Sequence, residues 1–257
     1  DMLMARGGPF NIQLSGGEPT LRDDLPDIIR AGKARGFQFF QLNTNGLRLA
    51  REPKYLQALA AAGLNTVFLQ FDSLAAGACA ALRGADLVAQ KKQAVLNCAA
   101  AGVGVVLVPT VASGVNLHHL GAIVDYAAAN MPTVRGVHFQ PLACFGRYTE
   151  NLQSGGRVTI PALLAELEKQ TDGRVKAAHF SPGSAEHALC TFHADYTIDN
   201  GSWAPRPGAG GCYRGETQPG AGSDRARAAV AAKWSAPAPP VVAAKTDSRY
   251  DLASLDA

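Results

Sequence analysis

The 257 residues suffice for one or two domains with a sizeable core, and 47% hydrophobic with 18% charged residues is the balance of a globular protein. A net charge of +3 without any run of basic residues gives no polybasic patch and no case for nucleic acid as a partner. No stretch reaches the roughly 18 apolar residues of a membrane span, and no signal peptide is visible. Five widely spread cysteines, Cys79, Cys98, Cys144, Cys190 and Cys212, do not fit a disulfide framework and point to a reducing, cytoplasmic setting.

In chain order, residues 1–141 repeat one unit: a short β-rich run, polar or Gly residues, then an Ala/Leu-rich amphipathic run. The predicted strands are Phe10–Leu14, Phe37–Leu42, Thr66–Phe71, Gly104–Val108 and Gly136–Phe139. The predicted helices between them are Leu25–Arg35, Lys54–Ala62, Leu87–Ala101 and Leu117–Asn130. Gly36, Gly63 and Gly102 follow helical runs as stop signals, and Pro26 stands just inside the first helix, where its missing N–H costs little. Strand–helix–strand units of this length mean a parallel sheet. Without a Gly-x-Gly-x-x-Gly loop, a barrel or partial barrel is favoured over a dinucleotide-binding sheet.

Beyond Pro141 the regularity fades. Thr159 and Pro161 open a predicted helix over Ile160–Gln170. Residues 174–200 suit short β pieces, Pro205–Gly222 reads as irregular loop, and the Ala/Pro-rich end reads as a flexible tail. The expected division is therefore 1–150 for the barrel, 151–215 for an irregular C-terminal extension and 216–257 for the tail.

Parallel barrels build their sites at the C-terminal strand ends. Those ends carry Ser15-Gly16-Gly17-Glu18-Pro19-Thr20, Asn43-Thr44-Asn45-Gly46, Asp72-Ser73, Pro109-Thr110 and Gln140-Pro141. Two glycines let a ligand approach the backbone closely. Pro19 holds Glu18 extended, and Glu18 offers a negative charge suited to an ammonium group. His187, Cys190, His193 and Cys212 have residue types and spacing that suit iron or zinc, and a loosely packed metal-free segment is the alternative. Cys144 follows the fifth strand and is a candidate for the cavity. Cys79 and Cys98 read as buried small apolar residues, His118 and His119 as a solvated helix start, and His138 as a core histidine.

Gly16-Gly17-Glu18-Pro19 after a barrel strand resembles the GGEP motif of the radical S-adenosylmethionine (SAM) enzymes, and Gln41–Gly46 resembles the strand that follows it in that family. Leu69–Asp72, Leu82-Arg83-Gly84, Val106–Val111, Gly114-Val115-Asn116 and Arg135–Pro141 are similar to one subgroup. It comprises the archaeal pterin-linked methyltransferases, the tetraether lipid synthases and their bacterial relatives, and the similarity runs from about residue 8 to about residue 200. The resemblance implies an α/β fold: a partial (β/α)6-type barrel, first βα unit missing, with an irregular C-terminal extension.

The resemblance also implies a function. SAM and a [4Fe–4S] cluster are the expected cofactors, with reductive cleavage of SAM to a 5′-deoxyadenosyl radical for methylation or C–C bond formation. Gly16, Gly17, Glu18 and Pro19 would hold the SAM amino group. Asn43 and Asn45 would meet its polar groups, Asp72 its ribose, and Pro109 and Gln140 the adenine or the substrate. The implied partners are a small-molecule or lipid substrate and an electron donor such as ferredoxin or flavodoxin.

One departure stands out. The family's cluster needs three closely spaced cysteines, and here the cysteines are at least 19 residues apart. The chain opens at Asp1 and not at Met, so the triplet and the first strand are expected upstream, and this piece alone is expected to be inactive. The competing expectation is a degenerate, cluster-less barrel acting as a binding or scaffold protein.

Overall fold

The computed structural model describes residues 2–143, 156–182, 191–206 and 221–237. Its helices are α1 Met2–Ala5, α2 Leu25–Ala34, α3 Leu47–Arg51, α4 Pro53–Ala62, α5 Ala76–Arg83, α6 Val88–Ala101, α7 Leu120–Ala129, α8 Ile160–Gln170 and α9 Ala221–Trp234. Its strands are β1 Ile12–Leu14, β2 Phe40–Thr44, β3 Thr66–Gln70, β4 Gly104–Val108, β5 Thr110–Val111, β6 Val134–Val137, β7 Gln140–Pro141, β8 Ser181–Pro182, β9 Phe192–His193, β10 Asp195–Asp199 and β11 Ser202–Arg206.

Five strands form one sheet in the order β1-β2-β3-β4-β6, every pair parallel. Each crossover therefore steps one strand in the same direction. Right-handed crossovers that never reverse direction place their helices on one face and leave the other to line an interior, the arrangement of a partial barrel. Strand alternation separates the two faces. Phe40 and Leu42 of β2, Val67 and Leu69 of β3, Val105 and Leu107 of β4, and Val134 of β6 join Ile29, Leu56, Leu59, Val95 and Ile123 of the helices in one core. Gln41, Asn43, Phe68, Gln70 and Val108 occupy the alternate positions.

The βα units fall where the hydrophobic pattern puts them. β6 starts two residues earlier than predicted, and a register shift between Val105 and Val106 accommodates it. Gly63, Gly84 and Gly102 end their helices in the left-handed conformation, which glycine adopts without a Cβ clash.

The C-terminal part departs from expectation. Ser202–Arg206 pairs antiparallel with Asp195–Asp199, so the predicted loop begins as a strand. The expected tail contains α9, fourteen residues long, and that helix crosses beneath the N-terminal strand ends. Asn11 Nδ2 donates to the Arg227 carbonyl at 3.3 Å, and Arg135 Nε to the Lys233 carbonyl at 3.0 Å. The Trp234 ring meets Phe68 edge-on at 6.0 Å. Phe68, Val106 and Gly136 are in register across three strands, and a Cβ on Gly136 would lie 2.9 Å from Trp234 Cζ3. Trp234 thus closes the interior from below, over a glycine that leaves room for its ring. Among the described residues, no helix is long and apolar enough to cross a membrane.

Candidate functional site

A polar cavity of about 400 Å³ opens at the C-terminal strand ends. Ser15, Gly17, Glu18, Asn43, Asn45 and Gln140 line it, together with Thr44, Phe68, Gln70, Arg83, Val108 and Thr110. Of the sequence-predicted residues, Gly17, Glu18, Asn43, Asn45 and Gln140 come together here. Gly16 adjoins them on the exposed turn. Pro19 and Pro109 are buried and lie off the cavity wall.

Gly16 and Gly17 have φ of 95° and 51°, a region that side chains disfavour. The turn sends the chain back so that Glu18 caps the short 3-10 turn Pro19–Leu21. Glu18 Oε1 accepts from the Thr20 amide at 3.1 Å and from the Thr20 and Thr44 hydroxyls at 2.6 Å each. Oε2 accepts from the Asn45 amide at 2.7 Å. Burial alone would raise this carboxyl's pKa. The hydrogen bonds from Asn45, Thr20 and Thr44 outweigh it and hold Glu18 below the usual carboxylate range. Glu18 is therefore an anion that ties the β1 loop to the β2 loop, and its Oε2 keeps acceptor capacity for a ligand.

The loop after β2 is held from the other side as well. Lys91 of α6 is 1% exposed, and its Nζ donates to the Asn45 carbonyl. Asn45 thus receives a carboxylate on its N–H and an ammonium on its C=O. Burial pulls the Lys91 pKa down to about 8, against the opposing pull of Asp72. The Gln70 amide stands between two cations. Its oxygen lies 3.4 Å from Lys91 Nζ, and rotating the amide turns it to Arg83 at 3.1 Å.

Asp72 takes a different part from the one expected. Its side chain is 1% exposed and both oxygens are committed. Oδ2 accepts from Arg83 Nε at 2.7 Å, and Oδ1 from Arg83 Nη2 at 2.8 Å and the Thr110 amide at 3.0 Å. A carboxylate so bound has little left for ribose hydroxyls. It aims a bidentate Arg83 at the cavity, and Arg83 Nη2 also donates to Thr110 Oγ1 at 2.8 Å. Asn116 completes the frame, donating to the Asp72 and Thr110 carbonyls at 2.8 and 2.7 Å.

Arg83 and Lys91 carried no assigned role in the sequence. Both sit on Ala-rich helices, away from the strand ends in sequence. The usable signal was Arg83 followed by Gly84, which ends the helix pointing back at the strand ends.

Among the described residues, no group of three or more His, Cys, Asp or Glu side chains suits a metal ion. Cys79 and Cys98 are buried, and burial pushes the Cys98 thiol up to about 12, so neither is poised as a thiolate ligand. A [4Fe–4S] cluster does not fit these residues. His193 lies exposed on β9. His187, Cys190, Cys212 and Cys144 lie outside the described residues.

Residues 2–127 match the Radical SAM superfamily. Over 172 residues the chain is 43% identical to the 7,8-dihydro-6-hydroxymethylpterin dimethyltransferase of Methanocaldococcus jannaschii, covering 66% of this chain and 34% of that protein. It is 31% identical over 140 residues to the GTP 3′,8-cyclase of Erythrobacter litoralis, covering 53% and 41%. A domain of pyruvate-formate lyase-activating enzyme from Bacteroides vulgatus matches with a TM-score of 0.49 at 16% identity, covering 65% of this chain and 96% of that one. Through residues 2–127 the chain carries a domain that matches the radical SAM superfamily, whose enzymes use SAM and a [4Fe–4S] cluster. It spans less than half the length of these two curated relatives.

Proposed function

We propose that the polar cavity binds SAM, and that the protein serves a radical SAM enzyme which cleaves SAM reductively and uses the 5′-deoxyadenosyl radical for methylation or C–C bond formation. The observation that carries this reading is the pairing of an anion and a cation at one cavity. Glu18 offers an acceptor to an α-ammonium and Arg83 a guanidinium to an α-carboxylate, beside a turn that Gly16 and Gly17 leave open: a Cβ on either would meet nothing within 4 Å. A zwitterionic amino-acid moiety matches that pair. Asn43, Asn45, Thr110 and Gln140 supply uncharged donors and acceptors for ribose and base.

When bound, SAM supplies the radical precursor. The chain's residues bind and orient it: Lys91 and Glu18 fix the Asn45 loop, Asp72 aims Arg83, and Trp234 closes the barrel interior from beneath. We read 1–150 as the SAM-binding unit and 151–215 as a C-terminal extension. A small-molecule or lipid substrate, a ferredoxin- or flavodoxin-type donor and a cytoplasmic setting belong to the same reading. The hydroxymethylpterin dimethyltransferase supports methylation among the alternatives.

Equilibrium binding of SAM tests the reading. Saturable binding is expected, with Arg83→Gln and Glu18→Gln each weakening SAM at least tenfold while adenosine, which lacks the amino-acid group, is unaffected. Loss of adenosine binding in step with SAM would remove the assignment of the two charges. Absence of SAM binding at millimolar ligand would remove the reading.

A further inference from the structure

A second cavity, of about 500 Å³, lies between β6, α8, the β9–β10 segment and the end of α9. Its wall is mainly apolar, with Leu163, Leu167, Phe180 and Trp234 among the residues that form it. Two cations also line it. Lys233 is ion-paired with Asp195. Arg135 is 2% exposed, its Nε bonds the Lys233 carbonyl, and its Nη1 is buried with no hydrogen-bond partner among the described residues.

That arrangement needs an explanation. A guanidinium cannot shed its charge in a protein, and a buried cation without a counter-charge costs several kcal/mol, on the order of the penalty for breaking a buried pair. Burial pushes the Arg135 pKa down, the mark of a charge that no neighbouring acid offsets. Among the described residues no carboxylate pairs with it. A group that offsets this charge from the cavity must be an acceptor and must tolerate an apolar wall. One guanidinium neutralises a monoanion. A phosphate dianion would leave charge uncompensated against Leu163 and Phe180.

We propose that this cavity is a binding site for a small apolar carboxylate, its hydrocarbon body against Leu163, Leu167 and Phe180 and its carboxylate on the Arg135 guanidinium. The site is distinct from the SAM cavity and does not depend on that assignment. Gln140 alone lines both cavities, so a ligand here borders the strand ends where SAM is proposed to sit.

The test is calorimetric titration of the 257-residue chain with 3-phenylpropionate and with its uncharged match, 3-phenylpropan-1-ol. The acid is expected to bind saturably and at least tenfold tighter than the alcohol. Arg135→Met keeps most of the side-chain length, and it is expected to abolish the preference for the acid; Arg135→Lys restores part of it. Equal affinity for acid and alcohol in the unmutated chain overturns the proposal, as does no saturable binding of the acid. Both results are read without a variant, so a misfolded Arg135→Met leaves the decision intact. Arg83→Gln combined with Asp72→Asn, which leaves no buried carboxylate stranded, is expected to weaken SAM and leave 3-phenylpropionate unchanged, which separates failure of this site from failure of the SAM reading.

Discussion

The two cavities treat charge in opposite ways. At the strand ends every buried ion has a partner: Asp72 has Arg83, Glu18 has Thr20, Thr44 and Asn45, and Lys91 has the Asn45 carbonyl. Beside β6, the Arg135 Nη1 has none among the described residues. The difference separates two uses of a buried charge. Where partners are internal, charge fixes loop geometry and the ligand receives what capacity remains. Where a partner is absent, charge selects the ligand. A buried ion pair is weak evidence for stability but strong evidence that its removal by halves will be costly.

The largest effect is expected from breaking the pair at the polar site. Arg83→Met strands Asp72 at 1% exposure, and should cost about 3–5 kcal/mol of unfolding free energy, read by denaturant titration. Asp72→Asn in the same background should recover part of that loss. Arg135→Met should cost less, because it strands no counter-charge and loses only the hydrogen bond from Nε to the Lys233 carbonyl. Similar losses at the two sites would break the contrast.

Lys91 gives the next effect, and it depends on pH. Its folded pKa is lowered from 10.5 to about 8, so the unfolded chain binds the proton more readily between those values. Stability from this group therefore rises with pH across that window. At about 1.4 kcal/mol per pKa unit the rise amounts to about 3 kcal/mol. Lys91→Met should lack it, as measured by the difference in denaturant midpoints of the two proteins at pH 8 and pH 10.

A third test concerns the floor that α9 provides. A methyl group at Gly104 would overlap the Trp234 carbonyl. Gly104→Ala should therefore destabilise by about 1–3 kcal/mol as backbone is forced aside, and Trp234 emission should shift toward that of a solvated indole. The smallest expected change is Asn43→Ala. Asn43 accepts one hydrogen bond, from Gln41 at 2.8 Å, in a partly open setting. Its loss should cost less than about 1 kcal/mol of stability while weakening SAM severalfold in the binding assay.

Most of the barrel was legible in the sequence because its signals are local. Val/Leu/Phe-rich runs, Ala/Leu periodicity and helix-ending glycines placed five strands and four of the helices between them within a few residues, and missed α3 and α5. The clustering of Gly17, Glu18, Asn43, Asn45 and Gln140 followed from the rule that parallel strands present their C-terminal ends together. What escaped was set by pairing across the fold. Asp72 stands at a strand end like the others, and only the position of Arg83, eleven residues on, shows which group takes its oxygens. Lys91 carried no assigned role because the carbonyl it caps is 46 residues away. α9 was hidden by its Gly- and Pro-rich approach, and the helix gains its place from Trp234 packing on Phe68 and Gly136 and not from a strong amphipathic pattern of its own.

That last helix bears on the order in which the molecule is built. The bonds joining it to the sheet span 98 residues, from Arg135 to Lys233, and 216 residues, from Asn11 to Arg227. Contacts of such separation form late, because so much chain must be ordered to close them. On the ribosome the five strands can pair before residue 234 exists, with Phe68, Val106 and Gly136 still open to water. The barrel interior is thus sealed only once residue 234 has been made, and until then the nascent chain carries an exposed apolar row of the kind chaperones bind.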